Sequence, residues 1–255
     1  MTRSPPIVSH AMILAAGLGT RLRRSADAPP KALTLLGGRT LLNHALDRLE
    51  DAGVRHVVVN VHHKADEVEA ALAARYGAGS ARYSVSDERA ALLETGGGVQ
   101  KALPLLPAAP FFVLNCDAWW PPGAGGLEAL RARFDGARMA ACLLVAERAR
   151  VSGVAQDDFA WHDKERLRFD NAGGLVYAGA QLVQPSVFAH APPVSSKTAH
   201  FSFTEVWRAL APHALYGASL SAPWMHIGTP EGLAEAEQRL AALRPRSRQR
   251  PRPQQ

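Results

Sequence analysis

Hydrophobic positions in the first half of the chain alternate between short continuous runs and amphipathic stretches. Residues 11–16 (AMILAA), 54–60 (VRHVVVN), 81–85 and 110–114 (PFFVL) are apolar runs of the length expected for strands buried on both faces. Between them, Leu42, Ala45, Leu46 and Leu49 line one side of a predicted helix over 41–52, capped at its start by Thr40 and stopped by Gly53. A second amphipathic helix is predicted over 64–76, and a short third one over 99–103 after three glycines, Gly96, Gly97 and Gly98. The order βαβαβαβ implies a parallel, doubly wound sheet with right-handed crossovers. Ligands of such sheets bind outside the carboxyl ends of the strands. Residues 17–21, the loop at 60–63 and Asp117 all fall at such ends, so they share one crevice.

The second half is less regular. Residues 124–134 read as a helix, 137–146 as another central strand and 156–171 as an antiparallel hairpin; in the first half, 32–36 read as a short extended piece. Strands follow at 175–183 and 219–227, with a short helix at 204–210 between them. A closing helix over 230–244 starts at Thr229-Pro230, with proline in its first turn. The expected organisation is an N-terminal tail (1–10), one domain over 11–240 in two halves (11–117 and 118–240), and a basic tail (241–255).

Composition narrows the class. A chain of 255 residues, 47% hydrophobic and 20% charged, buries a sizeable core in one large α/β domain. No apolar run approaches the ~20 residues a membrane span needs, and no signal-peptide pattern opens the chain, so the expected location is cytoplasmic. Two cysteines, Cys116 and Cys142, are too few for a disulfide framework. The net charge of +6 suggests nucleic acid at first, but Arg244, Arg246, Arg248, Arg250 and Arg252 account for nearly all of it. They sit in a proline- and glutamine-rich tail without apolar periodicity, which reads as a solvated tail rather than an RNA-binding surface.

The chemistry concentrates after the first strand. Gly17-Leu18-Gly19-Thr20-Arg21 is a turn that brings backbone N–H groups close to an anion, and Arg21, Arg23, Arg24 and Lys31 add positive charge. Arg21 and Leu22 stand where a dinucleotide-binding motif needs its third glycine, and no Gly-Lys-Ser/Thr follows. The run Leu14-Ala15-Ala16-Gly17-Leu18-Gly19-Thr20-Arg21-Leu22, with Pro30-Lys31 nine residues on, resembles the signature of the sugar-phosphate nucleotidyltransferases. Leu93-Glu94-Thr95-Gly96-Gly97-Gly98 is similar to the form found in the N-acetylmuramate 1-phosphate uridylyltransferase branch, where this loop lies against the base. The nearby Asp87-Glu88-Arg89 offers acceptors for a uracil imide N–H.

The resemblance extends over about residues 11–240 and implies a GT-A-like, Rossmann-related fold with a small antiparallel insertion. It also implies a reaction: an NTP and a sugar 1-phosphate give an NDP-sugar and pyrophosphate. By the same resemblance Leu14 to Arg21, Glu94, Gly96 and Gly97 bind the nucleotide, and Arg21, Lys31 and Asp117 act in catalysis. Asn115, Asp158, Gly179 and Gln181 fall where the family builds its sugar pocket. Asp117 is the expected ligand for Mg²⁺. Two departures stand at this centre. Cys116 replaces a glycine before the metal aspartate, and His226 replaces the second metal aspartate in Trp224-Met225-His226-Ile227-Gly228-Thr229. Imidazole suits Mn²⁺, Co²⁺ or Zn²⁺ better than Mg²⁺, and it serves equally as a phosphate contact or as a plain hydrogen-bonded strand-end residue. Guanylyl transfer to mannose 1-phosphate or another hexose 1-phosphate stays open. So does a nucleotide-binding regulator that has lost the chemistry.

Overall fold

A computed structural model of the protein describes residues 5–22, 25, 27–189, 200–211 and 213–243. The arginine-rich tail, Arg23 and Arg24 lie outside the described residues. The chain runs β1 (His10–Leu14), β2 (Leu35–Leu36), β3 (Arg39–Thr40), α1 (Leu41–Asp51), β4 (His56–Val61), α2 (Ala65–Tyr76), β5 (Tyr83–Asp87), α3 (Glu94–Ala102) and β6 (Phe111–Asn115). It continues through β7 (Ala118–Trp119), α4 (Gly126–Arg133), β8 (Ala141–Glu147), β9 (Val151–Ser152), β10 (Phe159–Trp161), β11 (Leu167–Phe169) and β12 (Leu175–Val183). It closes with α5 (Phe203–Leu210), β13 (Leu215–Leu220), β14 (Trp224–His226) and α6 (Pro230–Leu243).

The main sheet is α/β and mostly parallel, with β5, β4, β1 and β6 side by side in one direction. β12 pairs antiparallel with β6 and carries β8, with which β13 then runs parallel. The hairpin β10–β11 hangs on the start of β12. Central strands are apolar along their middles: Met12, Ile13, Val58, Val59, Phe111, Phe112 and Val113 are fully buried. Burying side chains on both sheet faces, at about 25 cal/mol per Å² of apolar surface, holds the layers together. One core lies under α1, α2 and α4, a second under α3 and α5, and a third, smaller one joins Leu36, Leu41, Trp119, Met225, Ile227 and Ala236.

Three predicted elements come out differently. Residues 31–33 form a 3₁₀ turn after Pro29-Pro30, with Leu33 N–H donating to Pro30 O, and the extended piece is reduced to the β2–β3 hairpin. α3 starts at Glu94, so Gly96, Gly97 and Gly98 lie within the helix rather than before it. Glycine costs about 1 kcal/mol in a helix interior, and here close tertiary approach outweighs that cost. A Cβ on Gly96 would meet the Phe201 ring at 2.5 Å. The single strand expected over 219–227 is two strands in different sheets, separated by a segment containing Pro223, whose nitrogen cannot donate to a ladder. β14 instead joins a small sheet, β7-β14-β9, in which His226 faces Ala118. At the N-terminus the expected tail is partly structured: Val8 is buried and His10 opens β1.

Candidate active site

The carboxyl ends of β1, β4 and β6 converge as the strand order requires. A cavity of about 330 Å³ there is lined by Leu14 through Arg21, Lys31, Asn60, Leu92, Glu94, Thr95, Asn115, Cys116, Asp117 and Gly228. A second cavity of about 290 Å³ adjoins it, bordered by Asp158, Tyr177, Gly179, Gln181, Trp207, Trp224 and His226. Leu14, Thr95, Asn115 and Asp117 belong to both, so Asp117 stands at the boundary.

The glycine turn is held open by its own geometry. Gly19 has φ +63°, and a Cβ there would sit 2.8 Å from Lys31 Cβ. Only glycine lets the loop pass that close to the lysine stem. Leu22 N–H closes the turn on Gly19 O. The N–H groups of Ala15 and Ala16 are committed to Asn60 Oδ1, at 2.7 and 3.3 Å. Among the described residues no hydrogen bond engages the N–H groups of Gly17, Leu18, Gly19 or Thr20, which leaves four donors for an anion. Arg21 is exposed at the rim.

Asp117 is gripped from two sides. Lys31 Nζ forms an ion pair with its Oδ2, and His226 Nε2 lies 3.1 Å from the same oxygen. Ile227 N–H donates to Asp117 O at 2.8 Å, which fixes β14 and hence the imidazole. Burial alone would raise the Asp117 carboxyl; the His226 hydrogen bond and the Lys31 and His226 charges outweigh it and hold the group well below the usual carboxylate range. Cys116 is buried and its thiol is pushed up to about 12 by desolvation, which removes it as a nucleophile. The donor set suits a divalent ion that takes one carboxylate from the protein and the rest from substrate phosphates. Among the described residues no group of three or more acidic, histidine or cysteine side chains is placed to hold a metal ion by itself.

Gly96 and Gly97 do not reach the cavity. Both are buried, and their N–H groups donate to Phe201 O at 2.9 and 3.1 Å. Leu92, Glu94 and Thr95 form that wall instead, with Glu94 at φ +61° and Thr95 Oγ1 accepting from Phe203 N–H at 2.8 Å. Nor does Glu88 face a ligand: it is fully buried, accepting from Asn60 Nδ2 and Leu93 N–H. In the second cavity Asp158 Oδ2 accepts from Tyr177 N–H at 2.9 Å, and burial raises its carboxyl above the usual range. Gln181 Oε1 accepts from the Trp207 indole N–H at 2.9 Å. Trp224 borders the same cavity, and its indole N–H is buried without a partner among the described residues. Sequence reasoning missed Trp207 as a lining residue and named Thr95 and Trp224 only as members of their motifs. For Trp207 and Trp224 the only signal was a large aromatic with a polar edge beside a motif.

A glycine turn with open amides, beside a lysine–aspartate pair at the end of a doubly wound sheet, is suited to holding the phosphates of a nucleotide. Residues 11–225 match the MobA-like NTP transferase domain. Over 248 residues the chain is 41% identical to the N-acetylmuramate alpha-1-phosphate uridylyltransferase of Caulobacter vibrioides, covering 94% of this chain and 99% of that one. The fold is shared with the inositol-1-phosphate CTP transferase from T. maritima (TM-score 0.75, 17% identity, 93% of this chain and 98% of that one). It is shared too with HddC from Yersinia pseudotuberculosis, complexed with GMP-PN (TM-score 0.71, 20% identity, 91% and 100%). The chain belongs to the MobA-like NTP transferase family, and it is an enzyme of the sugar-1-phosphate nucleotidyltransferase class. Among the described residues no helix is long and apolar enough to cross a membrane.

Proposed function

We propose that the enzyme transfers a uridylyl group from UTP to N-acetylmuramate 1-phosphate, releasing pyrophosphate, as a step of peptidoglycan recycling. The observation that carries this reading is the pair of adjoining cavities meeting at Asp117, in a chain similar over nearly its whole length to a uridylyltransferase of that specificity. The first cavity takes the nucleotide, with the amides of Gly17 to Thr20 and Arg21 on the β- and γ-phosphates. The second takes the sugar, offering Asp158 as acceptor, with Gly179 and Gln181 along its wall.

The sugar phosphate oxygen is already anionic, so attack on the α-phosphorus needs no general base. The new P–O bond forms opposite the bond to the bridging oxygen, which breaks as pyrophosphate leaves. Lys31 stabilises charge growing on the transferred group. Asp117, with His226 beside it, would hold a divalent ion, Mg²⁺ or Mn²⁺, which when bound neutralises phosphate charge.

The test is pyrophosphate release in a matrix of five NTPs against N-acetylmuramate, N-acetylglucosamine, mannose and glucose 1-phosphates, in Mg²⁺ and separately in Mn²⁺. The expected result is highest turnover for UTP with N-acetylmuramate 1-phosphate. Preference for GTP with mannose 1-phosphate overturns the base and sugar assignment, and a blank matrix overturns the chemistry.

A further inference from the structure

Asn60 and Glu88 are two of the very few polar side chains the core buries, at 2% and 0% exposure, and neither has a role in the reaction as derived above. They form a continuous chain of hydrogen bonds. Glu88 Oε1 accepts from Asn60 Nδ2 at 2.7 Å. With its amide nitrogen so occupied, Asn60 must turn Oδ1 the other way, where it accepts from Ala15 and Ala16 N–H. The second carboxylate oxygen of Glu88 accepts from Leu93 N–H at 3.2 Å, directly before Glu94 and Thr95 in the opposite wall. One buried carboxylate therefore ties the start of the glycine turn to the start of the other wall of the nucleotide cavity.

The surroundings are shaped to hold this pair. A Cβ on Gly98 would lie 2.7 Å from Glu88 Oε1 and 2.9 Å from Asn60 Nδ2, so the third glycine of the helix makes room for it. His62 Nδ1 meets Glu88 O at 2.7 Å and Glu88 N–H donates to Val61 O, which anchors its backbone to the end of β4. An amide side chain alone has two nearly equivalent orientations; an ionised carboxylate against its nitrogen leaves one.

We propose that Glu88 is a positioning residue which, through Asn60, aims the chain leaving β1 so that the amides of Gly17 to Thr20 face the triphosphate. The inference rests on the nucleotide site described above and is independent of which base or sugar is used. It predicts a specific rescue. Glu88→Gln sets one amide NH₂ against another or against Leu93 N–H, and Asn60→Asp sets two carboxylates face to face. In the double variant the amide introduced at position 88 donates to the carboxylate introduced at position 60. That carboxylate accepts in turn from Ala15 and Ala16 N–H, so every bond is restored with the charge moved from one partner to the other.

The experiment is calorimetric binding of UTP and, as a probe without a base, of tripolyphosphate, both with Mg²⁺, to wild type, the two single variants and the double variant. Steady-state KM values for both substrates and thermal unfolding accompany it. Each single variant should weaken both ligands by about tenfold or more and raise KM for the nucleotide, with KM for the sugar phosphate within about twofold of wild type. The double variant should recover to within about threefold of wild type. If the single variants fail to fold, recovery of both folding and tripolyphosphate binding in the double variant supports the proposal. A folded double variant that binds no better than the single variants overturns it, as do single variants that bind tripolyphosphate like wild type. Wild type that binds tripolyphosphate but not UTP counts against uridylyl transfer alone, and the variants on tripolyphosphate still decide the relay.

Discussion

Lys31→Met keeps the aliphatic stem that packs beneath Gly19 and deletes only the ammonium. Lys31 and Asp117 are 13% and 17% exposed, so their ion pair is largely out of water. Removing one partner of a fully buried pair costs about 3–5 kcal/mol. His226 remains on Asp117 and some solvent reaches the site, which reduces the expected loss to about 1–3 kcal/mol. For a chain of this size that is a fall in Tm of about 2–4 °C per kcal/mol. The chemical loss is larger. A fixed donor aimed at developing charge is worth about 10²–10³ in kcat. Pyrophosphate release, measured well below the melting point of the variant, separates the two effects. The expected outcome is a kcat/KM at least 10² below wild type in a protein that is still folded. A folded variant within about threefold of wild type would refute the placement of Lys31 at the reacting phosphate.

Arg21→Ala should cut turnover by about 10²-fold, with tripolyphosphate binding weakened in parallel; unchanged binding would remove Arg21 from the phosphate site. His226→Asp should keep or raise Mg²⁺-dependent turnover, since a second carboxylate suits that ion better than imidazole, and complete loss of turnover would sink the metal assignment. Gly19→Ala places a Cβ against Lys31 at φ +63°, so it should lower stability by about 1–3 kcal/mol in chemical denaturation; a variant as stable as wild type contradicts the close packing of the loop. Burial raises the Glu88 carboxyl despite Asn60, Leu93 N–H, Lys101 and His62 facing it. A raised carboxyl gives stability that is present below its unfolded value and lost as pH rises through the folded one. Relative to Glu88→Gln, wild type should therefore lose stability in urea as pH rises above about 4.3, and a gap independent of pH would show Glu88 to be unshifted.

Much of the fold and part of the site could be read in the residues because local patterns and tertiary packing agree there. The apolar runs that became β1, β4 and β6 placed Gly17 to Arg21 and Asp117 at one sheet edge without further information. Where packing overruled local preference, reading failed. Gly96 to Gly98 look like loop, yet they serve Phe201 and the Asn60–Glu88 pair, contacts made across chain separations that periodicity does not register. Glu88 sits in a charged tripeptide that reads as a source of acceptors for the base, and only the fold buries it. The division of 219–227 depends on which sheet each half joins, and Pro223 was the one local sign.

The reversed strand β12 has a consequence for how the molecule holds together in time. It is drawn from the second half of the chain and inserted between β6, which ends the first half, and β8. The sequence boundary near residue 117 therefore falls inside one sheet rather than between two bodies. Neither half can complete its hydrogen-bond ladder alone, and the pairing of β12 with β6 closes a loop of more than sixty residues. Long closures of this kind form late and couple distant parts. Melting should be shared by both halves, and excursions that loosen residues 118–240 should loosen residues 11–117 with them.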